Sequence, residues 1–417
     1  MNITARRRRQ TIHRRCRWRL ILTTLAVATF ISPDNITCVS SLSTTHPSST
    51  SSIDGDDSSI MPMPRPTLQS SSYPLYSTIL KHRSSQSSSS SSGAIPLAGV
   101  HDALSAKIFA NHGAPALFLS GFGVSASLLG IPDAGMTNLV EMEMMARHVH
   151  SAVRGGASQS PPPLIVDGDT GYGGAPNMLR TISTLSRAGA AAISIEDQIF
   201  PKKCTIAAGS KIQIVPREEA VERVRGAIGA RDLHYQQQQQ VSVDECSGKG
   251  TWIVARTDCR MAYGFNEVIE RCLKFEELGA EVIYAENLQS VEEYQQLRDR
   301  LDSRTVTMIA QVQESLNNND DDGTNVETIK KPLLTLQEIA ELGYDLALFG
   351  VTPLQCVVGA LDTTAKLFLD GRNTDGGDTA TATGIITEPI SMAAFSDVKR
   401  VVGFDELERF ESDFPCA

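Results

Sequence analysis

The chain lacks any CxxC pair. Its eight cysteines are scattered at positions 16, 38, 204, 246, 259, 272, 356 and 416, a spacing that supplies neither a zinc site nor a regular disulfide framework. Histidine is as poorly placed: the last of eight is His234, so the rear of the folded region offers none to a histidine-based triad or a histidine-rich metal site. Acid is missing from residues 1–33, which carry eight arginines ahead of Asp34. Within them the uncharged run from Leu20 to Ile31 is short for a membrane span and has the length of a signal-segment core. Residues 1–39 therefore read as a targeting segment, either a mitochondrial or plastid transit sequence or, alternatively, a secretory signal. In the second case Asn35-Ile36-Thr37 is a glycan acceptor sequence. Loss of residues 1–33 would take the formal charge from −10 to −18, which speaks against nucleic acid as a partner. Membrane contact is expected only through the N-terminal segment.

Residues 40–92 are dominated by Ser, Thr and Pro, too polar to bury a core, and are expected to be disordered. From Gly93 onward the pattern changes. Short apolar runs recur at Pro96–Val100, Ala116–Ser120, Leu164–Asp167, Ala191–Asp197, Trp252–Arg256, Glu281–Glu286, Val306–Ala310 and Leu346–Gly350, each followed by a helical-looking stretch. Two of those stretches end at glycines suited to helix stops, Asn266–Leu278 before Gly279 and Leu336–Leu342 before Gly343. Eight βα units predict an α/β protein, a closed (β/α)8 TIM-type barrel over residues 93–372, with a disordered loop at 373–386 and an extra C-terminal helical segment at 387–417. A doubly wound open sheet would place its glycine-rich loop after the first strand, whereas Gly171-Tyr172-Gly173-Gly174 follows the third. Polar insertions at 234–250, 317–323 and 371–384 read as surface loops.

In such barrels chemistry sits at the carboxyl ends of the strands. There the sequence delivers Ser120 and Gly121, Asp167 and Asp169, Glu196 and Asp197, Arg256 and Asp258, Glu286, then Gln311 and Glu314. Asp167 and Asp169, two apart at the end of an apolar strand, point to the same side. Two carboxylates that close repel unless a cation joins them, and Mg2+ is the simplest oxygen-seeking partner; an ordinary Asp-Gly-Asp turn is the plainer alternative. Arg256 is suited to a bidentate grip on a carboxylate. Between Asp197 and the next helix lies the basic loop Phe200–Lys211, in which Cys204 follows Lys202 and Lys203. That thiol reads either as one whose thiolate the lysines favour or as a packing residue.

The segments Leu119–Asp133, Val166–Gly173, Ser194–Gln198, Lys202–Cys204 and Val254–Asp258 resemble, in order, motifs of the isocitrate lyase and phosphoenolpyruvate mutase superfamily. The similarity runs from about Gly93 to Arg372 and resumes at Phe395–Phe414. The resemblance implies a Mg2+-dependent enzyme acting on a small carboxylate, usually a homotetramer whose terminal helices swap between paired subunits. It implies Asp167 as the main metal ligand, with Asp133, Asp169 and Glu196 holding the metal's water shell. Ser120 and Gly121 would contact the keto acid part of the substrate, Arg256 its carboxylate, and Glu286 its second half. Cys204 would move a proton from a mobile loop. The implied activity is a carbon–carbon lyase working by a retro-aldol route on a 2-hydroxy or 2-keto acid. Phosphoenolpyruvate mutase or hydrolase chemistry, in which Asp133 would be the nucleophile, and a catalytically inactive binding protein are the alternatives. The chain departs from the lyase pattern at Thr205-Ile206, where Gly-His is usual, and at Gln311, where Asn is usual. Lys202 and Gln311 complete the expected substrate-binding set.

Overall fold

A computed structural model describes residues 74–86, 93–154, 161–205, 212–241, 250–312, 333–369, 409 and 412–414. Eight strands, β1 (Ile95–Val100), β2 (Ala116–Leu119), β3 (Leu164–Asp167), β4 (Ala190–Ile195), β5 (Trp252–Thr257), β6 (Val282–Ala285), β7 (Val306–Ala310) and β8 (Leu346–Phe349), pair in parallel in sequence order, and β8 pairs with β1 to close the barrel. The strand period of two divides their side chains. Leu97, Phe118, Ile165, Val254, Tyr284, Met308 and Leu348 fill the barrel interior. Their neighbours Leu117, Leu119, Val166, Ile193 and Ile253 face outward on one side of the barrel, Ile283 and Ile309 on the other, and helices cover both sets. Several predicted runs lose a rim residue to the following turn. Ser120 leaves β2 because its hydroxyl caps the next helix, accepting from the Gly123 N–H at 3.1 Å.

The helical stops fall where glycine can take a left-handed backbone. Phe265–Glu277 ends ahead of Gly279 (φ 89°), and Leu336–Glu341 ends ahead of Gly343 (φ 82°). Two expectations are corrected. The polar insertion beginning at 234 is helical through Val241, within the helix Arg217–Val241, because glutamine is a fair helix former and no proline or glycine interrupts residues 230–241. The serine-rich segment expected to be disordered up to Ser92 contains a first helix, α1 (Pro74–Gln86).

That helix closes the floor of the barrel. Leu75 and Ile79, four apart on one face, are 1% and 2% exposed and join the interior cluster. The Tyr76 ring lies 5.9 Å from that of Trp252, the first residue of β5. Arg83 donates from Nε and Nη2 to both oxygens of Asp345, at 2.6 and 2.9 Å, just ahead of β8. The amino end of a barrel exposes strand-end apolar residues, and α1 covers them. Residues 1–39, the earlier part of the 40–92 segment, the insertions at 317–323 and 371–384, and nearly all of 387–417 lie outside the described residues.

Replacing Ile79 with Ala should lower the unfolding free energy of the full chain by about 2–4 kcal/mol. Arg83→Ala, which removes a partly exposed pair, should cost about 1 kcal/mol or less. Urea unfolding of both variants measures the difference, and an Ile79→Ala protein as stable as its parent would show that α1 is not part of the core.

Candidate active site

The turn after β3 builds the acidic side of the pocket. Ile165 points into the barrel and Asp167, two residues on, does the same. Asp167 accepts from the Gly121 N–H at 3.3 Å through Oδ2 and from the Asp169 N–H at 3.2 Å through Oδ1. Asp169 has a left-handed backbone (φ 48°), which aspartate tolerates, and its carbonyl accepts from the Glu196 N–H at 2.9 Å, tying β4's end to this turn. Gly121 leaves room for that carboxylate. A Cβ there would sit 2.9 Å from Asp167 Oδ2.

Lys202 reaches in from the loop after β4, its Nζ 2.5 Å from Asp133 Oδ1 and 2.8 Å from Asp169 Oδ1, with all three groups buried. Burial alone would lower the Lys202 amine, but Asp169, Asp133, Glu196 and Asp167 outweigh it and hold it well above the usual lysine range. Burial pushes Asp169 up to about 6 against the pull of Lys202, and it pushes Glu196 well above the usual carboxylate range against the pull of Arg256. Glu196 Oε1 is buried and meets no hydrogen-bond donor. Positive charge is in deficit at this rim.

Across the pocket Arg256, at the end of β5, is held by Asp258, which accepts from Nε at 2.7 Å and Nη2 at 3.1 Å. Its Nη1 lies 3.5 Å from Glu196 Oε2, and its guanidinium stands 5.3 Å from the centre of the Tyr284 ring. One edge of the guanidinium is therefore committed to the protein, and only the remaining donors can meet a ligand. Tyr284 donates its hydroxyl to Glu286, its neighbour two along the strand direction. Gln311 is buried, and its side-chain oxygen accepts from the Leu334 N–H at 3.0 Å.

Ser120, Asp133, Asp167, Glu196, Lys202, Cys204, Arg256, Glu286 and Gln311 all line one open pocket of about 600 Å³. Gly121 and Asp169 stand directly behind it, through their contacts with Asp167 and Lys202. Asp197 does not belong there. It is buried in the wall, accepting from the Thr257 hydroxyl, the Asp258 N–H and Arg271 Nη1 at 2.5, 2.9 and 2.9 Å, because the period of two turns it away from Glu196. Asp258 supports Arg256, and Glu314 lies outside the described residues. Two polar pocket residues escaped the sequence reading of the site, Tyr284 and Gln198, as did apolar lining such as Phe118 and Phe122. The alternation Tyr284, Glu286 was a usable signal for the first, while the role of Gln198 depends on a loop whose path no local pattern gives.

Among the described residues no three His, Cys, Asp or Glu side chains converge closely enough to hold an ion directly. The all-oxygen set, the unmatched Glu196 oxygen and the space left by Gly121 nevertheless fit a hard cation that touches Asp167 and keeps several waters.

A closed parallel barrel with this acidic and cationic constellation at its carboxyl end defines a (β/α)8 enzyme. Residues 88–369 match the family model described as phosphoenolpyruvate phosphomutase. The chain is 30% identical over 316 residues to 2,3-dimethylmalate lyase of Eubacterium barkeri, covering 76% of this chain and 92% of that protein. It is 32% identical over 272 residues to 2-methylisocitrate lyase of Aeropyrum pernix, covering 65% and 74%. The solved structure of oxaloacetate acetylhydrolase with the inhibitor 3,3-difluorooxalacetate matches with a TM-score of 0.61 at 26% identity, over 77% of this chain and 92% of that one. The chain belongs to the phosphoenolpyruvate phosphomutase family, within the isocitrate lyase and phosphoenolpyruvate mutase superfamily of lyases and mutases.

Asp197→Ala should destabilise the protein by about 3–5 kcal/mol, because it leaves the buried Arg271 charge with Glu267 as its one remaining carboxylate and strips the buried Thr257 hydroxyl and Asp258 N–H of their acceptor; thermal unfolding tests it, and an unchanged midpoint would overturn the structural role. Gly121→Ala should push the Asp167 carboxylate aside and cost about 1–3 kcal/mol of stability by thermal unfolding, with little change in fold by circular dichroism.

Proposed function

We propose that the protein is a Mg2+-dependent carbon–carbon lyase that cleaves a small 2-hydroxy carboxylic acid by a retro-aldol route. One observation carries the reading: the Cys204 thiol lines the same pocket as Asp167, Glu196 and Arg256. Asp133, which phosphoryl shuttling would need as a free nucleophile, is instead paired with Lys202 at 2.5 Å. The lyase names of the relatives from Eubacterium barkeri and Aeropyrum pernix agree with it.

Asp167 would hold the Mg2+, with Asp133, Asp169 and Glu196 on its waters, and the bound cation would draw off the negative charge that develops on the substrate's 2-oxygen. Ser120 and Gly121 bind the keto acid half. The free donors of Arg256 grip a carboxylate, and the Asp258 pairing keeps the guanidinium in place while they do so. Glu286, fixed by Tyr284, and Gln311 face the departing half. A carboxylate of the acidic rim takes the 2-hydroxyl proton, the carbon–carbon bond breaks as the carbonyl forms, and Cys204 delivers its proton to the carbanion carbon. Thr205, buried beside it, takes the place of the glycine usual in the lyases.

The same reading extends to assembly and location. The helix Thr352–Leu369 leaves Val358, Leu361 (62% exposed) and Phe368 uncovered, an apolar surface that supports pairing with further copies in a homotetramer. An organelle is the proposed compartment, with the secretory route as the alternative, on the composition of residues 1–39.

Incubation with Mg2+ and 2-methylisocitrate, isocitrate, dimethylmalate, oxaloacetate or phosphonopyruvate should release a keto acid from one of the hydroxy acids. Cys204→Ala should lower that rate by about 100-fold or more. Turnover of phosphonopyruvate that survives Cys204→Ala would replace the lyase by mutase or hydrolase chemistry, and ligand binding with no turnover of any of the five would leave an inactive barrel.

A further inference from the structure

Gln198 sits just past β4, 1% exposed, where a polar side chain needs every hydrogen bond it can make. Its carboxamide makes three. The oxygen accepts from the Lys203 N–H at 2.9 Å; the nitrogen donates to the Lys203 carbonyl at 3.0 Å and to Asp258 Oδ2 at 2.6 Å. Asp258 Oδ2 is the same oxygen that accepts from Arg256 Nη2 at 3.1 Å. One side chain thus pairs with both polar groups of Lys203, the residue next to Cys204, and with the carboxylate that holds Arg256.

Gln198 is itself firmly placed. Its carbonyl accepts from Arg223 Nη1 at 2.7 Å, and its backbone bridges to Ile214. On the acidic side Lys202 pairs with Asp133 and Asp169, and the Cys204 N–H donates to the Asp133 carbonyl at 3.1 Å.

We propose that Gln198 is a positioning residue that sets the place of Cys204 relative to Arg256, through the Asp258 carboxylate that both Gln198 and Arg256 share. A carboxylate ligand drawing on Arg256 changes the demand on Asp258, and Gln198 carries that change to the backbone of Lys203. The thiol and the clasp are thereby held in one frame, as a proton delivery to a carbon next to the gripped group requires. The catalytic meaning of Cys204 rests on the lyase reading; the tether does not.

The test compares the full-length protein with Gln198→Met, which keeps the length of the side chain and removes its hydrogen bonds. Alkylation by iodoacetamide is followed by mass spectrometry at individual cysteines, with and without Mg2+ and oxalate as the carboxylate probe. Cys259 and Cys272, both fully buried in the barrel wall, report on general loosening. The expected result is a rise of about tenfold in the Cys204 rate of the variant, from the loss of the three carboxamide hydrogen bonds, with Cys259 and Cys272 unchanged. Oxalate should alter the Cys204 rate in the parent and not in the variant. An unchanged Cys204 rate, or a parallel rise at all three cysteines, overturns the proposal. If the rate at Cys204 alone responds in a protein that cleaves none of the hydroxy acids, the tether stands and the lyase reading falls.

Discussion

Too many carboxyl groups meet at the carboxyl end of this barrel for the cations that accompany them. Among the described residues, Asp133, Asp167, Asp169, Glu196, Asp258 and Glu286 share the rim with three cations, Lys202, Lys203 and Arg256. Desolvation makes that imbalance severe, and it appears as the raised pKa values of Asp169 and Glu196 and as a buried Glu196 oxygen without a donor. Every other feature of the pocket can be understood as a response to it. Lys202 is drawn in between Asp133 and Asp169, Arg256 is wedged between Asp258 and Glu196, and the remaining need is met by a hydrated divalent cation in the proposed reading.

That arrangement divides the pocket into two sides joined by a short loop. The acidic side anchors Lys202 and the backbone of Cys204, while the Arg256 side anchors Lys203 through Gln198. Cys204 lies between them. In the proposed lyase reading, a thiol that must reach one particular carbon gains from being referenced to both sides of the pocket, since a displacement of about an ångström at such a site has large effects on rate. The departures at Thr205 and Gln311 both fall on residues that line the pocket, Thr205 beside the thiol, and neither replaces a carboxylate of the rim.

The floor of the barrel depends on simpler forces. Leu75, Tyr76 and Ile79 cover strand-end apolar residues, and Arg83 meets Asp345. Serine-rich sequence around α1 concealed it, because composition averaged over residues 40–92 drowned a single helix with few apolar anchors, whose stability comes from the barrel it covers. The glutamine run at the end of Arg217–Val241 was misread for the converse reason: low complexity suggested a loop, yet the run has no helix breaker and continues a helix already packed against the barrel.

The eight βα units, their order, and most of the acidic rim were legible in the linear sequence, because strand periodicity is local and a barrel strand presents its last residues to one face. Asp167, Glu196, Arg256 and Glu286 could be placed at that rim from spacing alone. The tertiary structure decided which of the rim residues face the pocket. Asp197 and Glu196 are adjacent in sequence and lie on opposite sides of the wall, one bound to Arg271 and the other to the cavity. It also decided that Lys202 neutralises Asp133 and Asp169, and that Gln198 reaches Asp258, 60 residues away along the chain. Such pairings arise only when separate turns are brought together by barrel closure, and short-range sequence patterns carry no record of them.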